Sequence, residues 1–371
     1  MIKYILKRFL LIFPTLFGVM LVNFAIIQAA PGGPVEQAIA KMKGLDQGFS
    51  QRFTGQSGDF HATNISNGLS TAPNGNSDIK YRGAQGVDPE ILHRIEKLYG
   101  FDKPVGERFW LMVKNLVTFH FDKSFYKDKD VLTLVKEKLP VSISLGLWTT
   151  ILVYLISIPL GIKKAINDGS KFDVGSSFVI VVGYAIPSFL FGILLIVLFS
   201  GGSFLSIFPL KGLVSENFSE LVWYKKIFDY LWHMTLPITA MVIGGFASLT
   251  MLCKNSFMEE ISKQYVITAR VKGCTEKQVL YGHVFRNAML IVISGFPSAF
   301  IGILFTGAFL IEVIFSLDGL GYLSFESTLS RDYPVIFGSL FIFTLLGLFM
   351  NLVGDVIYML VDPRIDFEKR G

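Results

Sequence analysis

Charged and hydroxyl side chains gather in a polar segment at residues 254–287, between two strongly apolar stretches. Its first half, residues 259–272, has the spacing of an amphipathic helix. Gly273 then stands where a helix C-terminus favours a left-handed residue, and Thr275 with Gln278 three positions later predicts a capping box that starts a second helix. Two short helices around a glycine indicate a folded element. Such an element is suited to bind a partner protein through non-covalent contacts.

Basic residues outnumber acidic ones in this segment, and the excess bears on where the segment lies. The basic residues are Lys254, Lys263, Arg270, Lys272, Lys277 and Arg286, and the acidic ones are Glu259, Glu260 and Glu276. Because short loops rich in Lys and Arg stay on the cytoplasmic side of a membrane, we expect the segment to be cytoplasmic. Taken alone, the same charges are also typical of a solvated basic helix without a partner.

The composition indicates an all-α integral membrane protein. Hydrophobic residues make up 51% of the 371-residue chain, only 17% are charged, and the mean hydropathy is +0.52. The formal net charge of +5 forms no single-sign face, which argues against nucleic-acid binding. Stretches long enough to cross a hydrocarbon core of about 30 Å predict six transmembrane helices, at residues 9–30, 141–162, 174–199, 234–252, 288–311 and 335–360. Pro187 interrupts the third of them.

These spans divide the chain into four regions. They are residues 1–30, a cytoplasmic start and an uncleaved first helix; 31–140, a long extracytoplasmic segment; 141–360, a five-helix core that contains 254–287; and 361–371, a cytoplasmic tail. In the second region, the Gly-, Ser-, Asn- and Gln-rich residues 45–86 predict a flexible insert, whereas Asp88 with Pro89 predicts the start of a helix. The charges beside the spans predict a multi-pass protein with both termini in the cytoplasm.

Motifs for catalysis, nucleotide binding and metal binding are missing from the sequence. It has no phosphate-binding loop of the form Gly-x4-Gly-Lys-Ser/Thr and none of the signatures of intramembrane or zinc proteases. The five histidines are scattered, and Cys253 and Cys274 fall on or beside a segment predicted to be cytoplasmic, where thiols stay reduced. We therefore expect no enzyme activity, no resident cofactor and no metal site in this chain.

Polar residues inside the apolar spans are few, and each is a candidate for lining a translocation path. They are Asn23, Gln28, Glu312, Asn351 and Asp355. A charged group near the bilayer centre costs about 3 kcal/mol on insertion scales, so such residues usually face a cavity or the helix bundle. Two simpler roles stay open, namely an interhelical hydrogen bond or a hydrated position close to the membrane surface.

Two sequence runs in this polar segment carry a family resemblance. Residues 264–273 are Gln-Tyr-Val-Ile-Thr-Ala-Arg-Val-Lys-Gly, and residues 283–288 are His-Val-Phe-Arg-Asn-Ala. Together they resemble the EAA-loop signature of ABC-importer permeases, in particular of the dipeptide/oligopeptide/nickel class. Further motifs typical of that class follow in order at residues 312–315, 319–321, 331–335 and 362–364. The resemblance covers nearly the whole chain and is strongest to the Yej-type permeases, a group associated with import of microcin C and peptides.

Three positions depart from the pattern of that class. Gln264 stands where glutamate is usual, Val271 where alanine is usual, and Ile291 where a proline commonly follows the Arg-Asn-Ala run. The departures bear on any role of that glutamate carboxylate and leave the resemblance itself intact.

The resemblance implies a permease with the type I ABC-importer fold in the bacterial inner membrane. Such a subunit forms a peptide path with a second homologous permease, and it works with two ATPase subunits or domains, which use ATP and Mg, and with an extracytoplasmic peptide-binding protein. The polar segment is then the coupling helix that docks on an ATPase. The implied docking residues are Gln264, Tyr265, Thr268, Ala269, Arg270, Lys272, Gly273, Arg286 and Asn287. At Gly273 we expect an added side chain to clash at the turn.

Two alternatives to peptide import stay open at this point. The first is transport of nickel or another small solute by a permease of the same family. The second is a channel or membrane scaffold that works without any ATPase, and the family motif argues against it.

Overall fold

The computed structural model describes residues 2–29, 90, 93, 96, 102–200, 204–302 and 309–361. The predicted insert at 45–86, most of the helix predicted after Asp88 and nearly all of the predicted tail at 361–371 lie outside these residues. In the described ranges the named elements are all helices, as the composition predicts.

Twelve α-helices are named in the described ranges. In chain order they are α1 (Ile2–Ala29), α2 (Val105–Val117), α3 (Val131–Ile166), α4 (Lys171–Ala185), α5 (Ser188–Phe199), α6 (Trp223–Ile261), α7 (Gln264–Val271), α8 (Glu276–Val279), α9 (Phe285–Gly302), α10 (Phe309–Ile314), α11 (Leu320–Ser330) and α12 (Tyr333–Val361). A short 3₁₀ turn, Phe218–Glu220, precedes α6, and a five-residue π-helix, Leu280–Val284, joins α8 to α9.

The number of membrane-crossing helices agrees with the prediction of about six. Five helical stretches in the described ranges are long and apolar enough to cross a membrane, and α4 with α5 makes a sixth crossing if the pair counts as one. The expectation of a single helix at 174–199 is wrong, because α4 and α5 meet at 90°. Pro187 stands at this break and caps the start of α5, where its missing N–H costs no helical hydrogen bond.

The chain packs as two compact units. Unit 1 contains residues 1–16, 132–325 and 339–371, and unit 2 contains residues 17–131 and 326–338. One core cluster of unit 1 brings together α3, α5, α6 and α10 through buried residues that include Leu145, Leu195, Met234, Ala240 and Ile311. In unit 2, the buried face of α2 consists of Phe109, Val113 and Leu116.

A close approach of two long helices in unit 1 depends on one glycine. A Cβ atom added to Gly161 of α3 would lie 2.7 Å from Cys253 Cβ and 2.9 Å from the carbonyl oxygen of Thr250, both on α6. Side chains essentially never approach so closely, so only hydrogen fits at this point of contact.

The variant Gly161→Ala tests this contact. We expect the free energy of unfolding to fall by about 1–3 kcal/mol, because the added methyl group overpacks the interface. Gly175→Ala is the matched control, since Gly175 is also helical and an added Cβ would meet nothing within 4 Å. Thermal unfolding of the two purified variants makes the comparison, and equal midpoints would contradict the close packing.

Candidate functional site

The polar segment at residues 254–287, called the knuckle from here on, folds as the sequence predicts. It comprises the end of α6, the short helix α7, a turn at Gly273, the four-residue helix α8, the π-helix and the start of α9. Two short helices around a glycine are therefore present.

The turn after α7 is a Schellman motif. Gly273 has φ 87°, in the left-handed region. Its N–H donates to the carbonyl oxygen of Arg270 at 2.9 Å, and the N–H of Cys274 donates to that of Ala269 at 3.2 Å. These two bonds satisfy carbonyl groups that the helix end leaves open, and the positive φ explains why glycine stands here.

The clash expected for a side chain at Gly273 is wrong. A Cβ atom added there would meet nothing within 4 Å. Backbone conformation, and not lack of space, is what restricts this position to glycine, because a Cβ atom in the left-handed region lies too close to the carbonyl oxygen that follows it.

The capping box that starts α8 is present. The Thr275 hydroxyl accepts the backbone N–H of Gln278 at 3.4 Å, and Gln278 Oε1 accepts the backbone N–H of Thr275 at 2.8 Å. Arg270 and Glu276 then join the two helices across the turn, with the guanidinium Nε and Nη2 each 3.0 Å from a carboxylate oxygen. Two bonds in parallel fix the orientation of this pair, although an exposed pair contributes only about 0.2–1 kcal/mol.

One face of α7 is buried inside this chain. Val266 and Ala269 are 0% and 7% exposed. They belong to a core cluster that also contains Ile162, Ala165, Cys253, Phe257, Val279, Val284, Ala288, Met289 and Val292. The small side chain of Ala269 therefore serves packing within the knuckle.

Tyr265 links α7 to the helices before and after it. Its hydroxyl donates to Glu260 Oε2 at 2.6 Å and accepts from Asn287 Nδ2 at 3.3 Å. Burial of the ring, together with the neighbouring Glu260 carboxylate, raises the pKa of Tyr265. Lys263 also pairs with Glu260, and this contact raises the pKa of Lys263. Tyr265 and Asn287 thus hold the helix in place.

The opposite face of α7 presents apolar residues to solvent. Val271 is 82% exposed and Ile267 is 54% exposed, and they lie one helical turn apart. Gln264, Thr268, Lys272 and Arg286 are exposed as well. The exposure of Ile267 and Val271 was not predicted from the sequence, although Val271 is one of the departures from the class pattern.

A cluster of charges ties the start of the knuckle to the turn between α3 and α4. Lys254 Nζ lies 2.7 Å from Asp173 Oδ2 and 2.8 Å from Asp168 Oδ1. The backbone N–H of Gly169 donates to Asp173 Oδ2 at 3.1 Å.

Lys164 completes this cluster and is 0% exposed. Its ammonium group lies 2.8 Å from Asp173 Oδ1 and donates to the Asp173 carbonyl oxygen and to the hydroxyl oxygens of Ser176 and Ser177, at 2.7–2.9 Å. A buried charge is tolerated only with such compensation. This cluster was not predicted from the sequence, although two aspartates within six residues of each other, close to lysines, are a signal for it.

The variant Asp173→Asn tests the cluster. We expect a loss of about 3–5 kcal/mol in the free energy of unfolding, because Lys164 stays buried without its counter-charge. Asp168→Asn is the control, since its side chain is 49% exposed and its pair with Lys254 contributes about 0–1 kcal/mol. Chemical or thermal unfolding of the purified variants provides the measurement, and a similar small loss for both would rule out the buried anchor.

Four of the five candidate path residues have a polar or charged partner in the structure. Gln28 is exposed and accepts a hydrogen bond from Arg108 at 3.1 Å, and Asn23 is half-buried. Asn351 and Asp355 lie one turn apart on α12, where Asn351 accepts from Ser298 Oγ at 2.8 Å and Asp355 pairs with Arg8 at 2.7 Å. Glu312 is the remaining path candidate.

Glu312 is 0% exposed and connects three helices of unit 1. It accepts a hydrogen bond from Ser142 Oγ of α3 at 2.7 Å and one from the backbone N–H of Tyr322, in the first turn of α11, at 2.8 Å. Gly319 lies against the carboxylate so closely that a Cβ atom would overlap it. The carboxylate thus caps the N-terminus of α11, as expected for an anion at this end of a helix.

No group of three or more His, Cys, Asp or Glu side chains that is suited to hold a metal ion occurs among the residues that the structure describes. The knuckle therefore has an inner face that packs within this chain and an exposed outer face that carries apolar and basic side chains.

Comparison with known sequences assigns the class of protein. The chain belongs to the family of binding-protein-dependent transport system inner membrane components, which matches residues 157–367. It is thus an inner-membrane component of a transport system that works with a binding protein.

Several relatives match along their whole length. The inner membrane ABC transporter permease protein YejB of Escherichia coli O157:H7 is 56% identical over 367 residues, 99% of each chain. The peptidoglycan transport system permease protein YejB of Agrobacterium fabrum is 57% identical over 373 residues, again 99% of each. The oligopeptide transport system permease protein AppB of Bacillus subtilis is 33% identical over 372 residues, 99% of this chain and 100% of the relative. The predicted resemblance to ABC-importer permeases, and to the Yej type among them, is confirmed.

Proposed function

We propose that this chain forms the path of a peptide importer together with a second homologous permease. Two ATPase subunits or domains dock on the cytoplasmic side and use ATP and Mg, and an extracytoplasmic binding protein delivers the peptide. The knuckle and both termini face the cytoplasm in this arrangement. Membership in the family and the high identity to YejB permeases support the proposal.

The outer face of α7 is the observation that carries the docking role. Ile267 and Val271 are apolar yet exposed, and a soluble loop with no partner gains nothing from this arrangement. The exposed Lys272 and Arg286 add positive charge, which suits an acidic rim on an ATPase groove. Tyr265, Ala269 and Asn287 act from within the knuckle and hold this face in position.

The anchoring of the knuckle supports a route by which ATPase movement reaches the membrane. Lys254 and Asp173 connect the part of α6 that begins the knuckle to α4, and the core cluster under α7 connects α7 to α3 and α9. A displacement of α7 therefore moves these helices together with it. Alternating access requires such a coupled movement of packed helices.

Peptides are the proposed cargo, and peptides released from peptidoglycan and microcin C-like conjugates belong to this class. The names of the relatives from Agrobacterium and Bacillus support peptides over nickel. Asn23, Gln28, Asn351 and Asp355 are the proposed path residues with side chains that are exposed or half-buried. The proposed role of Glu312 in the path is indirect, because its carboxylate holds the first turn of α11 in place.

The variant Val271→Asp tests the docking role. We expect about a tenfold loss of ATPase subunits that copurify with the tagged chain, because a carboxylate replaces an apolar anchor at the centre of the contact. Phe204→Asp is the control, since Phe204 is 70% exposed and lies outside the knuckle. Mass spectrometry of the mildly solubilised complex measures the partners.

Two outcomes of this experiment would contradict the proposal, the first at the level of the importer and the second at the level of the docking face. One is a wild-type chain that purifies without ATPase or second permease, which favours an ATPase-independent channel or scaffold. The other is equal ATPase recovery for the two variants, which removes the outer face of α7 from the docking surface.

Uptake by variants of Gly273 tests coupling. We expect Gly273→Val to abolish ATP-dependent peptide uptake while the chain still inserts, because a β-branched residue at φ 87° is strained by about 1–3 kcal/mol. Gly273→Asn is the matched control, since asparagine tolerates the left-handed region, and it should retain most of the uptake. Reconstituted vesicles with labelled peptide give the rates. Normal uptake by the valine variant would contradict the coupling role, and uptake of nickel in place of peptide would contradict the cargo.

A further inference from the structure

We propose that unit 2 contains a binding site for one anionic phospholipid, in the cavity between α2 and the adjoining ends of α1 and α12. The inference does not rest on the proposed transport function. It rests on the lining of the cavity, on its level in the membrane and on the charges at its rim.

The cavity has a volume of about 170 Å³ and a mainly apolar lining. Its apolar walls include Phe24 and Ile27 of α1, Leu111 and Met112 of α2, and Phe337 of α12. Such a lining suits the start of an acyl chain, because burial of each CH₂ group contributes about 0.8 kcal/mol.

The helices that line the cavity indicate its depth in the membrane. Phe24, Ile27 and Gln28 belong to the last turns of the candidate span Ile5–Gln28, and Tyr333, Pro334 and Phe337 belong to the first turns of the span Tyr333–Ile357. The ends of spans lie at the membrane surface, where the headgroups and the first acyl carbons of a lipid are found.

Helix α2 lies against the membrane part of α1. The Phe109 ring is 5.8 Å from that of Phe17 and 5.3 Å from that of Phe24, and both partners are inside the candidate span. Trp110 is 64% exposed, and Val117 is 57% exposed. Exposed tryptophan and valine on such a helix are typical of a helix that rests in the membrane interface.

The charged rim favours a lipid with a net negative headgroup. Lys103 and Arg108 line the cavity, and Arg108 Nη2 is held there by Gln28 Oε1 at 3.1 Å. Asp122 is the acidic residue of the lining, and Asn115 Nδ2 donates to its carboxylate at 3.4 Å. A guanidinium beside an ammonium group binds a phosphate diester well, and a glycerol headgroup adds no positive charge of its own.

Native mass spectrometry tests the site. The purified complex is exposed to an equimolar mixture of phosphatidylglycerol and phosphatidylcholine, and we expect wild type to retain one phosphatidylglycerol. Met112→Trp fills the cavity, and we expect about a tenfold loss of retained lipid. Ile193→Trp is the control, since Ile193 is an exposed apolar residue of α5, 42% accessible, outside the cavity.

A second pair of variants keeps the test decisive if Met112→Trp fails to fold. Arg108→Gln should lower the preference for phosphatidylglycerol over phosphatidylcholine about tenfold, and Arg108→Lys should restore most of it, because charge and not shape sets the preference. Three results would overturn the proposal: no retained lipid in wild type, equal retention by Met112→Trp and Ile193→Trp, or a peptide in place of a lipid at this stoichiometry.

Discussion

One aspartate shared by two lysines governs the cytoplasmic-facing end of unit 1 in the proposed topology. Asp173 binds Lys164 and Lys254, and these residues belong to the three long elements α4, α3 and α6. Lys164 is fully buried, so separating these helices would leave its charge buried without a counter-charge. The free-energy cost of that state keeps the three helices together. Lys254 is the first residue of the knuckle, so the place of the knuckle relative to these helices follows from this one interaction.

Local signals in the sequence were sufficient to predict the inner construction of the knuckle. Gly273 gives a Schellman turn, and Thr275 with Gln278 gives a capping box, since each depends only on neighbours in the chain. The buried face of α7 was harder to predict from the sequence, because Val266 and Ala269 pack in one core cluster with residues as distant in the chain as Ile162. For the same reason the outward exposure of Val271 emerges only from the folded chain.

Polar residues in apolar stretches were harder to interpret from sequence. Glu312 caps α11, whereas Asp332 in unit 2 ties the start of α12 to the segment before α3, because its carboxylate accepts hydrogen bonds from Ser124 Oγ and from the backbone N–H of Phe125, the latter at 3.2 Å. Burial raises the pKa of Asp332. Each carboxylate bonds to a residue that is distant in sequence. The hydrophobic periodicity of the sequence therefore could not show whether such a residue holds helices together or lines a path. Pro187 indicated an interruption of the helix at this point. The angle of 90° between α4 and α5 could not be predicted, because it depends on what the two helices pack against.

The length of α6 has a consequence for where a partner protein meets this subunit. Its 39 residues span about 58 Å at 1.5 Å per residue, roughly twice the thickness of a hydrocarbon core of about 30 Å. The nine residues after the apolar stretch at 234–252 carry the helix about 14 Å further, past the layer of lipid headgroups. In the proposed topology the helix is a stalk, and the docking face proposed at its end lies in bulk water, where a soluble ATPase can reach it without displacing a single lipid.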